Sequence, residues 1–197
     1  MIGYLLIIFL IIYFGAAFLL PSIRVWKKTG VNPVTFRGAD NTHDYIGKLF
    51  KILITALAAI IIIYAFAPDG YLYLLPVFWL EYQVVQLTGL GLLLISLVWT
   101  VIAQVQMGRS WRIGIDEEKA TALVQKGLFR FSRNPIFLGM IVTLTGVFLS
   151  IPNAFTLSIL ILGFVLIQLQ VRLEEEFLFK THGLEYEKFR QKVNRWF

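Results

Sequence analysis

The stretch that decides the fold is residues 136–171, IFLGMIVTLTGVFLSIPNAFTLSILILGFVLIQLQV. It carries no charged residue, and an Ile-Pro-Asn break at residues 151–153 divides it in two. A helix that crosses the hydrocarbon core of a bilayer needs about 20 apolar residues, so segments of this kind indicate membrane helices. We therefore expect Ile136–Ser150 and Ala154–Val171 to form a tight helical hairpin, whose first half is short for a complete span.

Three further apolar segments precede the hairpin: Ile2–Leu20, Leu49–Ala67 and Val84–Ala103. Of the 197 residues, 58% are hydrophobic and 15% are charged, whereas soluble proteins average about 45–50% and about 25%. The sequence therefore predicts an all-α polytopic membrane protein with about five transmembrane helices. The aromatic residues 71–80 are too few to span a bilayer, and we expect them at the level of the lipid headgroups.

The basic residues all lie on one side of this predicted topology. They occupy residues 24–51, 109–133 and 172–195, whereas Asp69 and Glu81 lie on the other side. The positive-inside rule makes the basic side cytoplasmic and leaves the N-terminus outside. The net charge of +6 is then a topology signal with some attraction to anionic membrane lipids, and we expect no nucleic-acid partner. Because the chain has no cysteine and two histidines, we also expect no metal site.

Polar residues concentrate on both sides of the hairpin, at residues 107–135 and 172–197. A helical hairpin brings its two ends together, so these blocks are expected to meet at the cytoplasmic surface. We divide the chain into N-terminal membrane helices with a basic connector, residues 1–105, and a functional core, residues 106–197. In the core, Gly183 is expected to end the last membrane helix. Apolar residues at helical spacing then predict a cytosolic amphipathic tail: Tyr186, Phe189, Val193 and Phe197.

The fourth apolar segment begins with a polar sequence that favours an anion. Asn134 is a good N-cap residue and Pro135 suits the first helical position, so the pair marks a helix start. The free N–H groups and positive dipole end of this helix, together with Arg130 and Arg133, would attract a carboxylate or phosphate. In the alternative interpretation, Asn134 only caps the helix and the arginines reach toward lipid phosphates.

Three consecutive carboxylates follow the fifth segment: Glu174, Glu175 and Glu176. They fan over about 200° of a helix, so at least one of Glu174 and Glu175 should point inward. The alternative is a solvated acidic turn in which Glu176 pairs with Arg172. An anion site and a cation site together fit a zwitterion with an additional positive centre, such as S-adenosylmethionine. Candidates for the walls of this pocket are aromatic: Trp111, Phe129, Phe131, Phe137 and Tyr186.

Two motifs in this order resemble the isoprenylcysteine carboxyl methyltransferase and phospholipid methyltransferase superfamily. They are LVQKGLFRFSRNPIFLG at residues 123–139 and EEEFLFKTHGLEY at residues 174–186, and the resemblance covers about residues 100–197. The matching positions are Gly127, Arg133, Pro135, Gly139, Glu174, Glu175, Leu178, Gly183 and Tyr186. The chain departs from the family pattern at four positions: Asn134 replaces a histidine, His182 a phenylalanine, and Phe129 and Phe137 replace tyrosines.

The resemblance implies an integral-membrane methyltransferase with S-adenosylmethionine bound at the cytosolic face. It also implies a lipophilic acceptor that enters from the bilayer: a prenylcysteine-like carboxylate, a phospholipid amine or a small lipophilic molecule. Arg133 or Arg172 would orient a carboxylate, and Glu174 or Glu175 would deprotonate an amine. Cofactor binding is expected at Gly127, Phe129, Arg133, Asn134, Pro135, Phe137, Gly139, Glu174, Glu175 and Tyr186.

Two other functions fit parts of the same pattern. Membrane sterol and enone reductases have a related Arg-His-Pro element and bind NADPH, but this chain lacks the histidine and tyrosine of that element and keeps Glu174 and Glu175. A non-catalytic lipid-binding membrane protein is the second alternative, because a shared fold does not determine chemistry.

Overall fold

The computed structural model describes residues 1–30, 32–33, 41–114 and 122–197. Within these residues the regular structure is helical, apart from isolated bridge residues such as the pair Pro76 and Asn153. The first helix contains a π-helical turn at Gly15–Leu19. The long helices are α1 (Ile2–Thr29), α2 (Thr42–Phe66), α3 (Gln83–Met107), α4 (Pro135–Ser150), α5 (Ala154–His182) and α6 (Leu184–Lys192).

Four of these helices are long and apolar enough to cross a membrane: α1, α2, α3 and α5. Helix α4 has 16 residues and rises about 24 Å, which is less than the roughly 30 Å hydrocarbon core. The all-helical membrane fold is thus confirmed. The prediction of about five spans corresponds to four long helices and one short apolar helix.

Helices α3 and α4 approach each other closely because small residues line their contact. A Cβ atom added to Gly89 would lie 2.6 Å from the Ser150 backbone nitrogen, and one added to Gly146 would lie 2.9 Å from the Gly89 carbonyl oxygen. Thr143 Oγ1 also donates a hydrogen bond to Ser96 Oγ at 2.9 Å. Small residues and hydroxyls are the usual means by which membrane helices associate.

At the Ile-Pro-Asn break, Asn153 turns the chain from α4 into α5. Its Oδ1 atom accepts hydrogen bonds from the N–H groups of Phe155 and Thr156 at 3.0 and 2.9 Å, which caps α5. Backbone hydrogen bonds tie the loop before α3 to this turn, since the N–H of Val77 donates to the carbonyl of Pro152 at 2.9 Å. Within that loop, the Tyr71 hydroxyl donates to Glu81 at 2.9 Å. Aromatic side chains of the same loop are exposed, as expected for the headgroup level: Tyr73, Phe78 and Trp79.

At the C-terminal end of α5, the helix ends before Gly183 and α6 begins directly after this residue. Helix α6 ends at Lys192, and residues 193–197, the C-terminal strap, cross the start of α4. The Arg133 N–H donates to the carbonyl of Asn194 at 3.0 Å, and Ser132 Oγ donates to the carbonyl of Arg195 at 3.1 Å. The predicted tail helix is therefore too long: Val193 and Phe197 lie beyond it because the strap bonds to the chain before α4.

Candidate active site

A cavity of about 370 Å³ lies where α4 begins and α5 leaves its apolar part. Small-molecule sites are clefts of roughly 300–1,000 Å³ with mostly apolar walls and a few polar groups. The first three membrane helices contribute one side of the cavity, and the segment before α4 contributes another. Its lining includes Tyr13, Phe14, Phe18, Phe50, Ile54, Thr100, Gln104, Trp111, Phe129, Arg133, Asn134, Pro135, Phe137, Met140, Gln170 and Glu174.

The structure separates the predicted site residues into two groups. Six of them line the cavity: Phe129, Arg133, Asn134, Pro135, Phe137 and Glu174. Five lie outside its lining: Gly127, Gly139, Arg172, Glu175 and Tyr186. Gly127 has a φ of +65° and packs against the Gln106 side chain, Gly139 packs against α3, and Arg172 is exposed.

Arg133 and Glu175 form a direct ion pair at the edge of the cavity. Arg133 Nη2 lies 3.0 Å from Glu175 Oε1, and the two side chains are 9% and 11% exposed. Arg195 of the C-terminal strap donates from Nε and Nη2 to the same carboxylate, at 3.1 and 2.7 Å. Asn134 Nδ2 adds a hydrogen bond of 3.3 Å. The Glu175 carboxylate is thus held by three side chains and joins α5, α4 and the strap.

This network also explains the geometry of Asn134. Its side chain makes no capping hydrogen bond, although the residue immediately precedes α4. The capping role expected for its side chain is wrong, because the amide faces Glu175 and the strap. Arg133 Nη1 donates to the carbonyls of Arg190 and Val193 at 2.9 and 3.2 Å. The remaining donor of Arg133, Nε, is buried without a partner among the described residues.

Glu174 differs from its neighbour in both position and partners. It lines the cavity and makes no hydrogen bond or ion pair with any residue that the structure describes. One helical turn earlier, Gln170 lines the same cavity, and its Oε1 atom is buried without a partner in the described part of the chain. Glu176 points away and pairs with Lys180 at 2.7 Å. The acidic run therefore contains one carboxylate for the cavity, one for the network and one for solvent.

Tyr186 lies behind the network, on α6. Burial is the main cause that raises the pKa of Tyr186 to about 12, and the negative charge of Glu175 raises this pKa further. The phenol is thus neutral at pH 7, and its hydroxyl is buried with no hydrogen-bond partner among residues 1–30, 32–33, 41–114 and 122–197. Next to it, hydrogen bonding to Glu175 raises the pKa of Arg195.

Several residues of the site were not predicted from the sequence. Gln104 and Gln170 are isolated amides in apolar helices. Because polar side chains are costly inside a membrane, their presence there is a sequence signal that indicates a functional site. Tyr13, Phe14 and Phe18 are aromatic residues in an aromatic-rich membrane helix, and nothing in the local sequence distinguishes them. Among the described residues, no group of three or more His, Asp or Glu side chains could hold a metal ion.

Comparison with known proteins places these observations in a family context. The model of the PEMT family, phospholipid methyltransferase, matches residues 84–185, which is just over half of the chain. The structure of a eukaryotic intramembrane Ras methyltransferase, isoprenylcysteine carboxyl methyltransferase, aligns with a TM-score of 0.58 and 17% identity. The alignment covers 94% of this chain and 64% of that protein, so the similarity is one of fold. A search of curated proteins gives no match.

Proposed function

Because this chain belongs to the phospholipid methyltransferase family, we propose that it is an integral-membrane enzyme that transfers a methyl group from S-adenosylmethionine to a lipophilic acceptor. The observation that carries the proposal is the cavity between α4 and α5. It combines the carboxylate of Glu174 and the buried Nε–H of Arg133, neither of which has a partner among the described residues, with largely apolar, aromatic walls. Family membership does not favour the NADPH-dependent reductase.

The residues of the cavity suit S-adenosylmethionine, which supplies an electrophilic methyl group on a sulfonium. Arg133 Nε offers a donor for the carboxylate of this cofactor. Glu174 and the faces of Phe129 and Phe137 suit its positive groups. The ion pairs of Glu175 hold Arg133 in place, so we assign Glu175 a positioning role. Pro135, Gly127 and Gly139 shape the backbone around the site. Tyr186, on α6, lies beside the ion pairs of Glu175 and helps to exclude water from them.

The distribution of charge favours an amine acceptor over a carboxylate. A carboxylate would need a buried free cation. Of the cations that line the cavity, Arg133 is paired with Glu175, Arg112 donates to the carbonyl of Trp111, and Lys51 is exposed to the surroundings. Arg172 lies outside the lining. An amine enters as an ammonium ion and must lose a proton before it can react. Glu174 is the carboxylate that lines the cavity without a partner in the described chain. We assign it the role of general base, which leaves a lone pair on the acceptor nitrogen.

The remaining acceleration comes from position and from exclusion of water. The apolar walls keep the reacting groups away from water, and holding two reactants side by side supplies a large part of the rate enhancement in such transfers. We place the cavity at the cytoplasmic face and the N-terminus outside, because the basic residues gather near the cavity. The acceptor then enters from the bilayer, whose lipids surround the exposed apolar faces of the helices.

Ligand binding and methyl transfer test this function separately. We expect purified protein in detergent to bind S-adenosylmethionine with micromolar affinity by calorimetry, and NADPH not to bind. With a labelled methyl group, we expect transfer to phosphatidylethanolamine and little transfer to N-acetyl-S-farnesylcysteine. Glu174→Gln should lower the rate by on the order of a hundredfold, whereas the exposed control Glu176→Gln should retain it. Heat with NADPH alone would support the reductase, and no heat with either compound would support a non-catalytic lipid-binding protein.

A further inference from the structure

The π-helical turn in α1 has a cause in the sequence. Pro21 has no N–H group, so the carbonyl of Ala17 loses the donor that an α-helix would provide four residues later. The N–H of Leu20 bonds to the carbonyl of Gly15, five residues earlier. An unpaired carbonyl inside a membrane is expensive. Gln104 of α3 supplies the missing donor, since its Nε2 atom lies 2.6 Å from the Ala17 carbonyl oxygen.

This turn brings three aromatic rings together. In a regular α-helix, residues five apart differ by about 140° around the axis, so Tyr13 and Phe18 would face different neighbours. A π turn winds more widely, and isolated π turns are frequent at functional sites. Here the Tyr13 and Phe18 ring centroids are 6.3 Å apart, and those of Phe14 and Phe18 are 5.4 Å apart. We call these three residues the aromatic floor.

The aromatic floor lies between two neighbouring spaces. A second cavity of about 70 Å³ shares part of its lining with the first and lies toward the Ile-Pro-Asn end of the hairpin. The residues that line both spaces are Tyr13, Phe14, Phe18, Phe50, Ile54 and Met140. The smaller space alone is lined by apolar side chains and by small residues of the hairpin: Leu10, Leu53, Leu57, Thr143, Leu144, Ile159 and Gly163.

We propose that the aromatic floor sets the length of the apolar chain that this protein accepts. A single alkyl chain runs through the larger cavity and ends against Phe14 and Phe18. The smaller space beyond them takes the last methylenes of a longer chain only when a ring moves. Gln104 is the positioning residue, because its hydrogen bond to Ala17 holds the turn that presents the rings. This inference deepens the proposed function and rests on its lipophilic acceptor.

The contrast between the two linings supports this occupant. Charged side chains line the larger cavity, whereas the smaller cavity has no charged residue in its lining; those of the larger cavity are Lys51, Arg112, Arg133 and Glu174. A molecule with a polar head and an apolar chain therefore fits in one orientation, with its chain directed at the floor. The buried Oε1 atom of Gln104 has no partner in the described residues, and Gln104 belongs to the lining of the larger cavity alone.

Binding of a homologous series of lysophosphatidylethanolamines tests the inference. The acyl chain is varied from octanoyl to octadecanoyl, and affinity is measured by calorimetry on protein held in an amphipathic polymer. Each buried methylene adds about 0.8 kcal/mol, or about fourfold in affinity. In the natural sequence, we expect this increase to stop at one chain length, where the chain meets the floor. Phe18→Ala should move the stop to longer chains. Gln104→Met should replace the abrupt stop by a gradual levelling of affinity over several chain lengths, because the turn no longer holds the rings in one place.

Controls separate a specific effect from a loss of structure. Phe155→Ala removes an exposed ring outside both cavities and should leave the stop unchanged, and Phe18→Leu offers a milder variant if Phe18→Ala does not fold. Affinity that rises across the whole series in the natural sequence would overturn the inference. So would a stop that stays in place in both Phe18 variants. Binding of S-adenosylmethionine and methyl transfer are measured on the same samples, so failure of the enzyme assignment is recognised independently of the length dependence.

Discussion

Two adjacent carboxylates offer the sharpest test of the site, because the structure gives them opposite roles. Glu175 accepts hydrogen bonds from Arg133, Asn134 and Arg195, whereas Glu174 lines the cavity without a partner among the described residues. The matched changes are Glu175→Gln and Glu174→Gln, which preserve size and remove one charge each. We expect the first to weaken the fold and the second to weaken function.

The magnitude for Glu175→Gln follows from burial and partners. Removing one member of a buried ion pair costs roughly 3–5 kcal/mol because the other charge is left without compensation. Arg133 is largely buried, but the Arg195 side chain is 33% exposed and regains water when the pair is broken. We therefore expect the free energy of unfolding to fall by about 3 kcal/mol, the lower end of that range. For Glu174→Gln no partner within the described part of the chain is lost, and we expect a change within about 0.5 kcal/mol.

Two measurements distinguish these outcomes. Denaturant titration in detergent gives the free energy of unfolding, and hydrogen exchange reports protection of the Arg133 N–H, which donates to the Asn194 carbonyl of the C-terminal strap. We expect exchange of this N–H to accelerate in Glu175→Gln alone. Glu176→Gln is the exposed control, since surface ion pairs contribute little. Equal losses of stability in Glu174→Gln and Glu175→Gln, or an Arg133 N–H that stays protected in the latter, would refute the reasoning.

Three further predictions concern packing, the π turn and ionisation. Gln104→Met should lower the free energy of unfolding by about 1–3 kcal/mol, because it leaves the buried carbonyl of Ala17 unpaired. Pro21→Ala restores a backbone donor for this carbonyl. In a double-mutant cycle, Gln104→Met should therefore cost less in the Pro21→Ala background than in the natural sequence. Gly89→Ala should cost about 1–3 kcal/mol, measured by denaturant titration, because the added Cβ would overlap the backbone of Ser150; a neutral result would mean that α3 and α4 are farther apart. The buried phenol of Tyr186 resists deprotonation, so its contribution is complete below its unfolded pKa of about 10 and is lost as the pH rises toward the folded pKa of about 12. The difference in free energy of unfolding between Tyr186→Phe and the natural sequence should therefore be constant near pH 7 and should grow in favour of Tyr186→Phe above about pH 10, and parallel pH profiles would contradict this assignment.

The sequence by itself determined the class of fold. Whether a segment can be a membrane helix depends on its length and polarity, which are local properties. The Ile-Pro-Asn break and Gly183 were likewise readable, because a proline and a glycine constrain the backbone where they stand. The two motifs around the hairpin were enough to predict the superfamily that the comparisons confirm at the level of family and fold.

The tertiary structure decided how the helices are rotated and which distant residues meet. Glu174 and Glu175 differ by about 100° on one helix, and no local rule says which of them faces the cavity. Arg195 reaches Glu175 because the strap folds back across the start of α4, and this contact diverts Asn134 from its capping role. Helix packing also places the aromatic floor of α1 at the site, although the two sequence motifs of the site lie more than a hundred residues further along the chain. Such contacts depend on the relative energies of whole helix arrangements, so they cannot be read from any single segment.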